Sequence, residues 1–99
     1  MIEKIEALII AREKLAKQAV AQFSVLVDDI LRTQSSDQKL IEHALDGMLD
    51  FCFDDEMLLL YKKLCRHYFT FNPQATAFYV NSYRGMWDND SINDKELAL

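Results

Sequence analysis

Glycine, proline and closely spaced cysteines are what this sequence has least of. Two glycines and one proline stand among its ninety-nine residues. Tight turns draw on those residues, because glycine supplies positive φ and proline presets a turn dihedral. So few of them exclude a sheet-rich chain with many reversals and predict long helices. No apolar run approaches the ~20 residues of a membrane span. The opening "MIEKIEALIIAREK" mixes acids and bases, where a signal peptide has a basic start and an uninterrupted apolar stretch. The expected location is therefore the cytoplasm, with Cys52 and Cys65 kept as reduced thiols. The sequence also lacks a glycine-rich phosphate loop, a Gly-x-Ser-x-Gly elbow and a Cys-His-Asp set of recognisable spacing. The reading is a protein that is not an enzyme and has no cofactor.

What is present is ordinary globular material: 51% of residues are hydrophobic and 27% charged, enough for one modest core. The net charge of −5 is unevenly spread. Residues 28–56 hold nine acids against Arg32 and Lys39. Residues 57–87 hold no acid and four bases, Lys62, Lys63, Arg66 and Arg84. Such a division predicts either a partner surface or two neighbouring elements that neutralise each other.

Hydrophobic spacing predicts four helices. From residue 2 to about 32, Ile5, Leu8, Ile9, Ala16, Ala19, Phe23, Leu26, Val27 and Ile30 recur at three- and four-residue steps, with Arg12 as the one charge in the stripe. "TQSSDQ" ends that helix, and Ser35 with Gln38 has capping-box spacing, with Ser36 an equal candidate. A second helix spans roughly 36–52, with Gly47 in its middle as a point of close approach. Asp54 or Asp55 caps a third, which runs to about residue 68. Asn72 followed by Pro73 starts a fourth, which runs to about residue 87. The expected fold is an all-α, four-helix up-and-down bundle with a long N-terminal helix. It forms one domain over residues 1–87, followed by an acidic mobile tail over residues 88–99.

The stretch "EHALDGMLDFCFDDEMLLLYKKLCRH" gathers two histidines, two cysteines and several carboxylates. A structural zinc site uses close cysteine pairs, and here twelve residues separate Cys52 from Cys65. In a helical hairpin that spacing puts them about three turns apart, too far for a shared metal or a disulfide. Carboxylate–histidine sites in bundles use Glu-x-x-His on facing helices, and the sequence offers a single, reversed His43-x-x-Asp46. A metal site built on His43, Asp46 and His67 ranks last, and no metal ligand is assigned. The same hairpin predicts an ion-pair ladder, Glu42 with Arg66 and Asp46 with Lys62, across the second and third helices.

Two features point to binding. Thirty helical residues reach ~45 Å at ~1.5 Å each, whereas a compact chain of this size has a radius of gyration near ~13 Å. The first helix must bend, near Ser24, or project. A projecting end would expose Ile2, Ile5, Leu8 and Ile9, which makes them the candidate self-interface of a homodimer. The last two helices hold most of the aromatic residues. Phe78, Tyr79, Tyr83, Arg84 and Trp87 on the fourth are the candidate face for an unidentified protein partner. The alternative is that Tyr79, Tyr83 and Trp87 are a core stripe. Aromatic and basic residues together can also stack bases and hold phosphate, but the overall acidity disfavours nucleic acid.

The stretches "LDFCFDDEMLLLYKKLCRHYF" and "NPQATAFYVNSYRGMWD" resemble small helical proteins of Bacteroides-type bacteria, some carried on mobile elements. The resemblance covers most of the chain. It implies a bacterial cytoplasmic protein, and it carries over no activity and no functional residue. The resulting expectation is a non-enzymatic protein–protein interaction or regulatory module. The alternative is an accessory of nucleic-acid processing, acting through the basic-aromatic half or through the acidic surface as a decoy.

Overall fold

A computed structural model describes residues 2–87, with side chains from Glu3 onward. The expected tail 88–99 and the Ile2 side chain lie outside the described residues. The described chain is all-helical: α1 (Ile2–Thr33), α2 (Gln38–Leu49), α3 (Asp55–Phe69) and α4 (Pro73–Trp87).

Each helix end has a local cause. No glycine or proline interrupts α1, so it runs unbroken for 32 residues. It continues through Ser24, whose hydroxyl bonds back to the Ala21 carbonyl at 3.1 Å. It stops where Gln34 takes φ 49°, a left-handed conformation usually left to glycine or asparagine. The Ser35 N–H then reaches the Ile30 carbonyl at 3.0 Å and the Gln34 N–H the Leu31 carbonyl at 3.2 Å, which is the Schellman closure. Asp37, and neither serine, caps α2 by accepting the Leu40 N–H. Ser35 Oγ is occupied with the Asp37 N–H at 3.2 Å, so the helix starts two residues later than expected. It also ends earlier, at Leu49, in a string of turns closed by Phe51 N–H to Met48 and Asp54 N–H to Phe51, each 3.0 Å. Asp54 caps α3 through the N–H groups of Glu56 and Met57 at 2.9 and 3.2 Å. Asn72 caps α4 through the Ala75 N–H at 3.1 Å, and Pro73 occupies the first helical position.

α3 is the central element, packed against α1, α2 and α4, while α1 also packs on α2. Phe23 of α1 lies over Gly47 of α2, Tyr68 of α3 meets Glu42 of α2, and Tyr61 of α3 meets Tyr79 of α4. The core combines Val27 and Ile30 from α1 with Ile41, Leu45 and Met48 from α2. It is completed by Met57, Leu64 and Tyr68 from α3. Each such buried side chain contributes about 1.5–3 kcal/mol relative to exposure.

The chain is not compact for its size. Its radius of gyration is 15.3 Å and its extents are 48 × 39 × 17 Å. The longest dimension matches a straight α1, about 1.5 Å for each of its residues. α2 and α3, of 12 and 15 residues, cannot cover that length. The surplus is the first part of α1: no residue from 3 to 15 is buried.

Candidate binding surfaces

The free stretch of α1 is pinned at its base. Lys17 pairs with Asp54 at 2.8 Å and with Glu56 at 3.0 Å, at the start of α3. Those carboxylates raise the Lys17 pKa to about 12, and the Lys17 ammonium holds Asp54 below its ordinary range. One turn earlier, the Arg12 guanidinium sits 3.9 Å from the centre of the Phe53 ring and 5.8 Å from that of Trp87. Arg12, the charge that breaks the apolar stripe, is taken up by this cation–π seat. Beyond it, three of the four expected self-interface residues are open to solvent: Ile5 is 58% exposed, Leu8 70% and Ile9 51%. Ile2, the fourth, lies outside the described side chains.

The expected partner face on α4 divides in two. Phe78 points outward, 64% exposed. Tyr79 is buried, so it is not available to a partner. Its carbonyl accepts the Tyr61 hydroxyl at 2.7 Å, and its own hydroxyl lies beside Asp46. Burial first, then that carboxylate, push the Tyr79 phenol well above its usual range. Trp87 is half-buried. Its indole N–H donates to the Leu49 carbonyl at 2.6 Å and its ring lies 5.7 Å from Phe53, so it joins α4 to the α2–α3 turn. The Tyr83 ring is 6.2 Å from Tyr61. Residues 76, 79, 83 and 87 recur at three- and four-residue steps and face α3. This stripe serves the fold, and Phe78 is set about a quarter turn away from it.

A second correction concerns the ion-pair ladder. Glu42 accepts a hydrogen bond from the Tyr68 hydroxyl, not from Arg66. That contact and burial push the Tyr68 phenol up to about 12, burial being the larger cause. Asp46 faces Tyr79, not Lys62. Among the described residues, the ion pairs are those of Lys17 and the Arg32–Asp29 pair. One step along a helix turns a side chain by about 100°. With Tyr61 and Tyr68 facing inward, Lys62 and Arg66 swing to the side of α3 that faces α4.

There they line a groove that sequence reasoning missed. It encloses about 680 Å³ between α3 and α4. Lys62, Arg66 and Arg84 are its charges, Leu58 and Val80 its apolar walls, and Tyr61, Cys65 and Tyr83 complete the lining. A smaller hollow of about 250 Å³ continues it past Cys65 and Arg66 to Phe69 and Thr76. No acid lines either part. The signal was the acid-free run over residues 57–87, which the sequence left between a partner surface and neutralisation of a neighbouring element.

The metal-friendly residues go elsewhere. His67 Nε2 carries the ring proton and donates to the Ser35 carbonyl at 2.6 Å, with Phe71 edge-on at 5.5 Å. His43 is exposed on α2. Burial pushes the Cys52 thiol up to about 12 and the Cys65 thiol up to about 11, which makes both poor nucleophiles at neutral pH. Among the described residues no three His, Cys, Asp or Glu side chains form a metal-binding group, and no helix is long and apolar enough to cross a membrane. No protein-family model, curated protein or solved structure matches the chain.

Proposed function

We propose that this chain is a non-enzymatic protein–protein interaction module of the bacterial cytoplasm that works as a homodimer. The observation that carries the reading is the exposure of Ile5, Leu8 and Ile9 on one side of a helix that outruns its neighbours. Covering each of them would contribute up to about 1.5–3 kcal/mol, and contiguous apolar surface of this kind marks interaction sites. In this reading the four helices are an up-and-down bundle whose first helix is shared with a second copy. Phe78 then forms the outward edge open to another protein.

Light scattering after gel filtration tests it. The expected mass is twice the 11.5 kDa of the chain, falling to 11.5 kDa in Ile5→Asp with Ile9→Asp. A monomeric wild-type protein overturns the reading.

The second reading, an accessory of nucleic-acid processing, draws on the three bases and two tyrosines of the α3–α4 groove. It predicts a gel shift on single-stranded DNA or RNA that survives physiological salt. Loss of the shift as salt rises to that level leaves only weak phosphate attraction, opposed by a net charge of −5.

A further inference from the structure

From the chemistry of two uncovered surfaces we infer that the free part of α1 from one copy docks into the α3–α4 groove of a second copy, reciprocally. The inference rests on the self-association proposed above and adds the receiving site. Four observations carry it.

The first is length. The uncovered part of α1, residues 3–15, is about 20 Å long at 1.5 Å per residue. The groove and its continuation follow α3 from Leu58 to Phe69, about 16 Å by the same measure.

The second is charge. On a helical wheel Ile5 and Ile9 lie together, Leu8 borders them, and Glu6 and Glu13 share the adjoining flank, two turns apart. The groove offers Lys62, Arg66 and Arg84, no acid, and no ion pair to these bases among the described residues. An apolar stripe with an acidic edge meets an apolar cleft with a basic edge.

The third is chemistry of the apolar parts. Val80 and Phe69 line the cleft and are 39% and 59% exposed, so the receiving side has uncovered surface of its own. Helix-in-groove recognition uses this arrangement, with anchors at helical spacing.

The fourth is position. Arg12 over Phe53 and Lys17 at Asp54 show that α1 leaves the body at the end formed by the α2–α3 turn and Trp87. Leu58 and Arg84 place one end of the groove about one turn from there. Two copies turned end to end about a two-fold axis can therefore each lay the helix into the other's groove, with the same contacts made twice.

The test uses the full chain. A spin label is attached at Ala7→Cys, an exposed site on the side of α1 away from Ile5 and Ile9, while the buried native thiols react slowly. This chain is mixed with unlabelled, isotope-enriched wild type, and amide signals of the enriched copy are followed. The expected result is broadening along residues 58–69 and 76–84. Arg66→Glu with Arg84→Glu is expected to weaken dimerisation at least tenfold while circular dichroism is unchanged, and Glu6→Arg with Glu13→Arg is expected to restore it. A dimer whose broadening is confined to residues 3–13, and which is indifferent to the charge reversals, overturns groove docking and leaves self-association standing as helix pairing on helix. A monomeric wild type removes both.

Discussion

The two halves of α1 have the same pattern and opposite fates. Residues 16–33 put Ala16, Val27 and Ile30 at no more than 1% exposure. Residues 3–15 put Ile5, Leu8 and Ile9 at half exposure or more. Hydrophobic spacing tells which side of a helix is apolar, and neighbours of sufficient length decide whether that side is covered. α2 and α3 end where they do because of their caps and turns, so the helix opposite them is left uncovered from about Leu15 back.

The sharpest way to break this comparison is to truncate one residue from each half. Ile30→Ala is expected to cost about 2–5 kcal/mol in urea unfolding, as large-to-small changes in a closed core do. Ile9→Ala is expected to change the stability of dilute, monomeric protein by less than about 0.5 kcal/mol, as exposed sites do, while weakening the dimer. Comparable losses for both in the monomer would mean that the first half of α1 folds onto its own body.

The next largest effect lies at the boundary between the halves. Asp54 caps α3 and receives Lys17, so Asp54→Ala is expected to destabilise by about 0.5–2 kcal/mol. The pH dependence follows from the direction of the Asp54 shift. A carboxyl whose folded pKa lies below its ordinary 3.8 contributes stability above that value and loses it as the pH falls through the lower folded value. Wild type should therefore lose stability below about pH 4 more steeply than Asp54→Ala, measured by thermal melts in acid. At the other extreme, Tyr68 is raised from 10.0 to about 12. Its contribution is complete below pH 10 and is lost as the pH rises towards 12. Tyrosinate absorbance appearing together with loss of helicity, above the range of free tyrosine, is the expected signature. Early tyrosinate formation with helicity intact would show that the α2–α3 contact is open.

Elements defined by neighbours in sequence were legible, and elements defined by rotation about a helix axis were not. The caps at Asp54 and Asn72 depend on a side chain reaching a backbone N–H two or three residues on, and spacing narrows them to Asp54 or Asp55 and to Asn72 ahead of Pro73. The surplus of α1 was legible too, because it follows from counting residues. The α2 cap was missed because "TQSSDQ" offers several equal oxygens, and Ser35 closes α1 through its N–H while its Oγ accepts the Asp37 N–H, leaving the cap to Asp37. The ion-pair ladder assumed that acids on α2 meet the bases at the same height on α3. Height was right, since Glu42 does meet the end of α3, but Tyr68 occupies that face. The same rotation moved Lys62 and Arg66 to the groove, which favours the partner-surface half of the charge reading over neutralisation of α2. Tyr79 and Trp87 were left between partner face and core because large aromatics with polar tips suit an interface and a core equally well.

The smallest effects compare two glycines, and they test how firmly the buried half of α1 is seated. Gly47 of α2 lies under Phe23, and a Cβ added there would come 2.6 Å from the end of that ring. Gly85 of α4 has nothing within 4 Å of the same position. Replacing a helical glycine by alanine is worth up to about 1 kcal/mol in helix propensity. At Gly85→Ala that gain stands alone, and the variant should be stabilised by about 0.5–1 kcal/mol. At Gly47→Ala it is opposed by overpacking, typically ~1–3 kcal/mol, so a net loss of about 1 kcal/mol is expected from denaturant midpoints. Phe23→Leu should relieve the loss, because the shorter side chain withdraws the atoms that collide. Equal stabilisation at both glycines would mean that Phe23 moves aside freely. In that case α1 is held to the body by Val27 and Ile30 near its end, and the uncovered stretch reaches further along the helix than residue 15.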